Sequence, residues 1–399
     1  MSLIDKLSQE DVWREYLAYK KSNVGSKNFV KDLEKYIDDK KYLLVCDKIN
    51  KGDFPLPRKS MISKLSSDKK RTVYTYPYSE NMVLKLLTWL VLRKYDVFSS
   101  NLYSFRQKIT AKDAVRKMVK ESREKPRYIY KADIHNYFNS IDIDRLLPVL
   151  KEALSDDERL YTFLQGLLKE DYVISENERI IEEKGIMAGT PIASFYANLY
   201  LSELDKRMEK KGVVYARYSD DILVMADSLD EVKALADEIR SFIKEAGLTI
   251  NPDKESFFAP SEGWVFLGFC FDGKNVDIAP KTVEKLKGKM HRKSRSLLRW
   301  SDKNNIDGKK AAKAFINKFN KKLLEGAEDN ELTWSLWFFS VISTADSLKV
   351  IDNYAQDCIR YVATGKRTKK RFDFRYEDMK SLGYKSLVHE YYSYVDENK

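Results

Sequence analysis

Apolar residues recur along the chain with two different periods, and the change of period divides the middle of the sequence into elements. After Thr110 they return every three or four positions, and Thr110 forms a capping box with Asp113, so we predict a helix that ends near Pro126. Residues 127–134 alternate between two faces instead, which is the period of a strand. Asp133 therefore lies at the C-terminal end of a predicted strand.

A helix and a hairpin are predicted further along the chain. Residues 191–211 have a helical pattern closed by Gly212, a residue common just past helix ends. Two runs rich in β-formers follow at 213–218 and 222–226, and the Ser-Asp-Asp segment 219–221 separates them. This order predicts a β-hairpin with two carboxylates at its turn.

The last two elements of this region are a helix and a pair of short strands. Ser228 and Glu231 form a second capping box, which predicts a helix that stops at Gly247. Residues 248–250 and 256–259 are predicted to be strands on either side of a turn. The order is then β-α-β-β-α-β, the split βαβ or ferredoxin-like arrangement, in which the first strand and the central hairpin are neighbours.

That arrangement is expected to bring Asp133 close to Asp220 and Asp221. Three carboxylates suit two hard divalent cations, typically ~3.5–4 Å apart, that hold the attacking and leaving oxygens of a phosphoryl transfer. Asp133 and Asp220 would bridge the metals, and the Ile134 carbonyl would add an oxygen ligand. Taken alone, residues 219–221 are an ordinary hairpin turn and Asp133 is a strand-end cap; the two together favour the metal site.

Composition and charge point to a folded protein with a polyanionic partner. Of the 399 residues, 43% are hydrophobic and 13% aromatic, which excludes a disordered chain. The net charge is +11. Residues 276–399 hold 26 Lys and Arg against 17 Asp and Glu, a charge of +9, so the first 275 residues carry only +2. The basic residues of 281–322 are interleaved with apolar ones, so this segment is either a solvated helical face or a nucleic-acid surface.

Cysteine and histidine usage excludes other classes of site. With three Cys and three His, neither a disulfide framework nor a Cys/His zinc site is expected, which indicates a reducing, cytoplasmic setting. No apolar stretch is long enough for a membrane span, and we predict no membrane partner. Residues 1–54 have a helical tendency that would serve either RNA binding or oligomerisation, and the oligomeric state stays open.

Several segments, in order, resemble the sequence blocks of the reverse transcriptases. Residues 132–141 resemble the first catalytic block of that family, and 218–221 (YSDD) resemble its YxDD box. The resemblance spans roughly 55–275. Further matching segments are 185–201, 247–254 and the primer-grip hairpin at 264–269.

The resemblance implies an α+β fold, a right-hand polymerase with a ferredoxin-like βαββαβ palm, mixed fingers and an α-helical thumb. The expected divisions are an N-terminal helical extension at 1–54, fingers at 55–127 and 143–190, palm at 128–142 and 191–275, and a basic helical thumb at 276–399. It also implies that Asp133, Asp220 and Asp221 are the catalytic, metal-binding carboxylates. The implied cofactor is Mg²⁺, with Mn²⁺ as the alternative, at two ions per active site.

Other residues match family positions around the nucleotide. Phe138 lies where the family places an aromatic gate against the ribose 2′-hydroxyl; a core aromatic is the alternative. Lys254 matches a lysine that would donate a proton to pyrophosphate, or is a solvated turn lysine. The resemblance also implies that Ile134 lies beside the nucleotide. Lys64 and Arg71 resemble the fingers residues that meet the triphosphate, unless they are merely exposed.

The block at 185–201 also shows a departure from the family. Where the family usually has Pro-Gln-Gly, this chain has Met187, Ala188 and Gly189, which puts ordinary templating near the nucleotide in doubt. Similar departures occur in diversity-generating and defence-associated bacterial enzymes. Ala188 and Gly189 are still expected at the nucleotide.

Template and primer contacts are expected at a third set of positions. Residues 104–106 resemble the G-F-R of bacterial members. The predicted contacts are Arg106, Leu267, Gly268, Lys289, Arg292 and Arg295.

The expected activity is RNA-directed DNA synthesis, with RNA template, DNA product and deoxynucleotides as partners. We predict that the enzyme copies a dedicated, structured non-coding RNA in bacterial antiviral defence, because Ala188 departs from the family and no mobility domain is predicted. The alternatives are a retron or diversity-generating reverse transcriptase, and a non-catalytic RNA-binding protein that retains the fold.

Overall fold

Four antiparallel strands form the sheet that carries the predicted carboxylates. The computed structural model describes residues 1–22, 27–63, 70–106, 109–182, 185–325 and 334–398. Its residues fall into two compact units. The first holds the described residues up to Glu262 except Lys27 and Asn28, and the second holds those two and the residues from Gly263 onward. The segment 263–275, predicted to belong to the palm, therefore lies in the second unit.

The first unit contains twelve helices and eight strands among its described residues. The helices are α1 Leu3–Lys6, α2 Glu10–Ser22, α3 Lys27–Asp38, α4 Tyr42–Lys51, α5 Tyr78–Lys94, α6 Ala111–Glu124, α7 Tyr137–Ser140, α8 Ile143–Ala153, α9 Glu158–Lys169, α10 Ala193–Tyr200, α11 Ser202–Lys210 and α12 Leu229–Glu245. The strands are β1 Arg58–Ser63, β2 Lys70–Thr75, β3 Tyr128–Asp133, β4 Tyr172–Ser175, β5 Glu178–Ile181, β6 Val214–Tyr218, β7 Asp221–Ala226 and β8 Ser256–Phe258.

The central sheet has the order β6-β7-β3-β8 with every pair antiparallel, so the βαββαβ topology is confirmed. Strand β3 pairs with both β7 and β8, which buries it at the middle of the sheet. Its inward residues Tyr130 and Ala132 are fully buried. Helix α12 packs on β3 and β7, and its apolar stripe supplies the cover on that side.

Local signals were accurate for two of the helices. The Thr110 capping box is present at the start of α6, as predicted. At α12, Ser228 accepts a hydrogen bond from the Glu231 N–H, but the Glu231 carboxylate accepts from the Asp227 N–H instead of completing the box. The helix begins at the predicted position, with one of the two hydrogen bonds of the predicted capping box.

Two predicted elements differ from the structure. The single helix predicted over 191–211 is the pair α10 and α11, because Leu201 leaves the helical region with φ −106° and ψ 12°. The strand predicted at 248–250 is reduced to one bridge between Ile250 and Ile134. Pro252, which follows closely, has no N–H with which to extend a ladder.

Helices and a second sheet complete the first unit. The predicted helical character of residues 1–54 is confirmed in α1–α4, where Trp13 stacks on Tyr42 and contacts Tyr36. A second sheet has the order β2-β1-β4-β5. Lys64 lies outside the described residues.

The second unit joins a three-stranded sheet to helices; helices were predicted beyond 276, but the last strand of the sheet, which begins at 276, was not. Its strands are β9 Trp264–Phe266, β10 Phe269–Phe271 and β11 Val276–Ile278, and its helices are α13 Pro280–Lys303, α14 Gly308–Asn320, α15 Trp334–Phe339, α16 Asp346–Thr364, α17 Tyr376–Ser381 and α18 Leu387–Glu397. A π-helical turn, Lys321–Glu325, continues α14. Among all described helices, none combines the length and apolar character that crossing a bilayer requires.

Candidate active site

The pairing of β3 with β7 places the predicted carboxylates at one end of the central sheet. Asp133 and Asp221 are register partners across the two strands. The Ile134 N–H donates to the Asp220 carbonyl at 3.0 Å, which ties the end of β3 to the hairpin turn. Ser219 has a φ of +59°, and this left-handed residue turns the chain so that Asp220 follows directly beside Asp133. The predicted convergence of Asp133 with residues 219–221 is therefore present.

Burial and mutual repulsion act on these carboxyl groups. Burial raises the pKa of Asp220, and the charge of Asp133 raises it further, while Lys254 and Arg71 act in the opposite direction. Burial likewise raises the pKa of Asp221 to about 6. Such a cluster stabilises a bound cation, because the cation relieves both the desolvation and the repulsion.

The Asp133 carboxylate is held by a lysine. Lys254 ends a short 3-10 turn, Pro252–Lys254, and its Nζ lies 2.7 and 2.6 Å from the Asp133 Oδ1 and Oδ2. Burial acts to lower the pKa of Lys254, but the hydrogen bond to Asp133 and the three negative charges raise it overall. Lys254 is thus an ammonium that neutralises Asp133.

The donor set suits a hard divalent metal, although the described residues hold no ready-made cluster of three or more His, Cys, Asp or Glu side chains that would bind one. Three carboxylates and a backbone carbonyl are the oxygen ligands that Mg²⁺ prefers. The Ile134 carbonyl accepts no hydrogen bond within the described part of the chain. The Lys254 ammonium contacts both Asp133 oxygens, so a metal at Asp133 would share that carboxylate with it.

A buried ion pair supports the turn from behind, and the sequence analysis did not identify it. Arg217, on β6, and Asp205, on α11, are both fully buried. The Arg217 guanidinium donates to the two Asp205 carboxylate oxygens at 2.8 and 2.5 Å. It also donates to the Ser219 carbonyl at 3.1 Å, so the pair holds the left-handed residue in place.

Two further polar residues fix the other side of Ser219. The Ser219 N–H donates to the Ser104 hydroxyl at 2.9 Å, and that hydroxyl donates to the Asn198 side-chain oxygen at 2.8 Å. The Asn198 amide returns a bond to the Ser104 carbonyl. A charged residue at an inward position of a predicted strand, as at Arg217, is the sequence signal that could have revealed this network.

The structure places three of the predicted nucleotide-binding residues along β2. Arg71 is exposed on β2 and near enough to Asp220 to lower its pKa. The Ala188 carbonyl accepts from the Tyr74 N–H at 2.8 Å. A Cβ at Gly189 would lie 3.0 Å from the Tyr74 carbonyl, and its φ is +102°, so the segment needs glycine to pack against β2.

The neighbouring aromatic residues Tyr137 and Phe138 differ in environment. Tyr137 is buried, and its hydroxyl donates to the Ala197 carbonyl at 2.5 Å. Phe138 is half-buried and meets the Tyr137 ring edge-on at 5.8 Å. Gly185 packs so closely on the Phe138 carbonyl that a Cβ would lie 2.4 Å from it. The backbone of Phe138 is therefore fixed while its ring keeps an accessible face.

Arg106 is engaged within the protein. Its guanidinium donates to Asp96 at 2.6 Å and to the Ser99 carbonyl at 2.7 Å, and only 11% of the side chain is exposed. Its role in this structure is to hold the chain around residue 99, and its predicted contact with the template stays a prediction.

The remaining predicted contacts lie in the second unit. Leu267 and Gly268 form the turn between β9 and β10 with φ values of +51° and +87°. Lys289, Arg292 and Arg295 lie on α13, whose opposite face buries its apolar residues in the unit. Arg292 and Arg295 are exposed, whereas Lys289 is half-buried.

Comparisons with known proteins agree with this geometry. The family model described as reverse transcriptase (RNA-dependent DNA polymerase) matches residues 61–271. The retron Ec86 reverse transcriptase of Escherichia coli is 26% identical over 161 residues, 39% of this chain and 49% of that protein. The retron Ec48 reverse transcriptase of Escherichia coli is 26% identical over 196 residues, 48% of this chain and 44% of that protein. The chain therefore spans about half the length of these curated relatives.

Solved structures also match the chain. The apo telomerase of Candida tropicalis is 11% identical, with a TM-score of 0.49 over 83% of this chain and 69% of that chain.

Proposed function

The chain belongs to the reverse transcriptase family, and on that premise we propose that it adds deoxynucleotides to the 3′ end of a primer by copying RNA. The observation that carries the proposal is the register pairing of Asp133 with Asp221 beside the Asp220 turn. A catalytically inactive member would have no need to keep these carboxylates at one strand end, where burial and the charge of Asp133 raise the cost of ionising Asp220 and Asp221.

The metal ligands follow from the donor set. Asp133, Asp220, Asp221 and the Ile134 carbonyl would hold two divalent ions, with Mg²⁺ preferred and Mn²⁺ as the alternative. When bound, such ions stabilise the charge on the attacking and leaving oxygens of phosphoryl transfer. Arg217 and Ser104 contribute by holding Ser219, which fixes the direction of the adjacent carboxylate.

Residues around the carboxylates would bind and select the nucleotide. Arg71 supplies a cation for the triphosphate from β2, and the close packing of Gly189 on that strand fixes its position. The accessible face of Phe138 would exclude the ribose 2′-hydroxyl. Lys254 is protonated and hydrogen-bonded to Asp133, so it holds a proton that it could donate to the leaving pyrophosphate.

The template is proposed to be a structured non-coding RNA, and the type of system is proposed to be retron-like. Both relatives reported above are reverse transcriptases of retrons. This favours the retron alternative over a diversity-generating enzyme. The antiviral role predicted from the sequence stays a prediction.

Primer extension on an RNA template tests the activity. The wild-type protein with Mg²⁺ should extend a DNA primer with labelled dNTPs, and the Asp220→Ala/Asp221→Ala variant should lose about a thousandfold or more of that rate. Asp230→Ala/Glu231→Ala, on the exposed first turn of α12, is a matched control for the loss of two acids. Undiminished incorporation by the Asp220/Asp221 variant would refute the site.

Sequencing the nucleic acids that copurify with the protein tests the template. One structured RNA joined to its cDNA supports the retron-like proposal, and a mutagenised repeat copy contradicts it. No dNTP incorporation with any metal or primer would revive the non-catalytic, RNA-binding alternative.

A further inference from the structure

A small apolar slot opens in the second unit between α13 and the α14 end that continues into the π-helical turn. Its volume is about 120 Å³, and its floor includes the buried side chains of Met290, Phe315 and Phe319. A space of this size holds one ring system or one apolar side chain and excludes a whole helix or duplex. Apolar cavities of this kind are ordinarily filled by the protein's own side chains.

Four lysines surround this slot. Lys289 and Lys293 lie one turn apart on α13, and Lys318 and Lys322 lie one turn apart across the end of α14. Side chains at that spacing stand about 6 Å apart on a helix. The slot therefore has two pairs of cations facing each other over an apolar floor.

No acidic side chain among the described residues pairs with any of these four lysines. Of the nearest acids in sequence, Glu284 is paired with Lys287 at 2.7 Å and Glu325 with Lys385 at 3.6 Å. Burial lowers the pKa of Lys289, and the charge of Lys322 lowers it further. Lys289 and Lys322 therefore repel each other across the slot, and an anionic ligand would relieve that repulsion.

The main chain at this site is also unusual. The segment Lys321–Glu325 is π-helical, a conformation that occurs mostly as single turns and frequently at functional sites. It places Leu323 in the slot wall and Lys322 on its rim. A regular continuation of α14 would rotate these two side chains relative to Lys318.

From this combination we infer that the slot binds one unpaired base of an RNA strand, whose flanking phosphates lie on the four lysines. A single nucleic-acid strand offers flat apolar rings between regularly spaced anions, and proteins bind it with aromatic floors and basic rims. An acidic helix is too wide for the slot. This inference rests on the proposed function, because it assumes that the partner is the RNA that is copied.

Equilibrium binding of two RNA hairpins tests the inference. The hairpins have the same stem, and one carries a single bulged 2-aminopurine. The wild-type protein should bind the bulged hairpin about tenfold more tightly, and the fluorescence of the base should change as it stacks on the aromatic floor. Lys289→Gln/Lys293→Gln/Lys318→Gln/Lys322→Gln should abolish the preference and reduce the salt dependence of binding by up to ~0.7 for each phosphate that the protein no longer neutralises.

The matched control removes four lysines elsewhere on the same helices. Lys303→Gln/Lys309→Gln/Lys310→Gln/Lys313→Gln changes exposed residues that do not line the slot. It should lower the affinity for both hairpins while the preference for the bulge remains. Thermal melting monitors folding, and Lys289→Gln/Lys318→Gln, with one lysine from each side, replaces the quadruple variant if that variant melts early.

Two kinds of result would overturn the inference. One is equal binding of the two hairpins by the wild-type protein, or a bulge preference that survives in the slot variants. The other is slot-dependent binding of phosphatidylglycerol vesicles without slot-dependent RNA binding, which would identify a lipid site. Since binding needs no DNA synthesis, a protein that incorporates no dNTP yet prefers the bulge would contradict the proposed function and support base binding by the slot, to an RNA that is not copied.

Discussion

Two groups of carboxylates in the first unit are buried in different ways. Asp205 is fully buried, and Arg217 and Tyr215 donate three hydrogen bonds to its two oxygens. Asp220 and Asp221 are half-buried, and no other side chain of the described residues donates a hydrogen bond to either carboxylate. The first acid is satisfied by the protein, and the other two are kept close together without such partners.

The difference distinguishes a carboxylate that stabilises the fold from carboxylates that are available to a ligand. A buried charge with a complete set of partners stabilises one conformation, and removing one partner leaves the other uncompensated. A buried charge without partners destabilises the fold and persists where a ligand supplies the partner. Asp205 accordingly fits a positioning role, and Asp220 and Asp221 fit the proposed role of residues that bind metal and substrate.

The largest effects should come from removing one acid from each group. We expect Asp220→Ala to reduce primer extension about a thousandfold, because a proposed metal ligand is removed, and to leave the free energy of unfolding unchanged or higher. Asp205→Ala should lower the free energy of unfolding by about 3–5 kcal/mol, because Arg217 is left buried without its counter-ion. Primer extension and urea unfolding measured on the same preparations would check both. A loss of stability in Asp220→Ala equal to that in Asp205→Ala would contradict the contrast.

Replacing both partners of the ion pair distinguishes its effect on stability from its effect on the position of Ser219. Arg217→Met alone should cost about 3–5 kcal/mol, whereas Arg217→Met/Asp205→Leu should recover much of that stability because no charge is left buried. The double variant still lacks the hydrogen bond to the Ser219 carbonyl. It should therefore remain impaired in primer extension at temperatures where it is folded.

Full recovery of activity in that double variant would mean that the guanidinium does not hold the turn. Urea unfolding of the single and double variants, followed by steady-state rates below the lower transition, distinguishes the two outcomes.

The same contrast applies to the aromatic pair on α7. Phe138→Ala should raise ribonucleotide incorporation relative to deoxynucleotide incorporation by roughly 10- to 100-fold, because the accessible ring is removed. Tyr137→Phe removes only the buried hydroxyl that donates to the Ala197 carbonyl, and should cost about 1 kcal/mol of stability without changing selectivity. Competition between matched dNTP and rNTP measures the ratio. An unchanged ratio of ribonucleotide to deoxynucleotide incorporation in Phe138→Ala would contradict the proposed role of Phe138.

The smallest effect is expected at Ser104. Ser104→Ala leaves the buried Ser219 N–H without its acceptor, at a cost of about 1–3 kcal/mol, and should reduce primer extension only modestly because Arg217 still holds the Ser219 carbonyl. Ser104→Thr keeps a hydroxyl and is the matched variant. Equal rates in all three proteins would show that the Arg217 contact alone fixes the turn.

The sheet and its carboxylates were predictable because their signals are local. Alternation over 127–134, the turn at 219–221 and the caps at Thr110 and Ser228 each depend on a few adjacent residues. Their order then fixed the topology, and the topology placed Asp133 next to Asp221.

The supporting contacts were not predictable in the same way. The pairing of Arg217 with Asp205 depends on the break at Leu201, which no helix-stop residue marks in the sequence. The bond between Lys254 and Asp133 depends on how a short turn packs against the end of β3. Both contacts arise from tertiary packing, and sequence periodicity carries no information about them.

The contact between Asp133 and Lys254 also has a consequence for synthesis of the protein. The two residues are 121 positions apart, and a ribosome that adds about 5–20 residues per second takes on the order of ten seconds to travel between them. During that interval the nascent chain contains β3 without the lysine that neutralises its terminal carboxylate or the strand β8 that pairs with it. The contact at Asp133 and the pairing of β3 with β8 therefore form only after residues 254–258 have been synthesised.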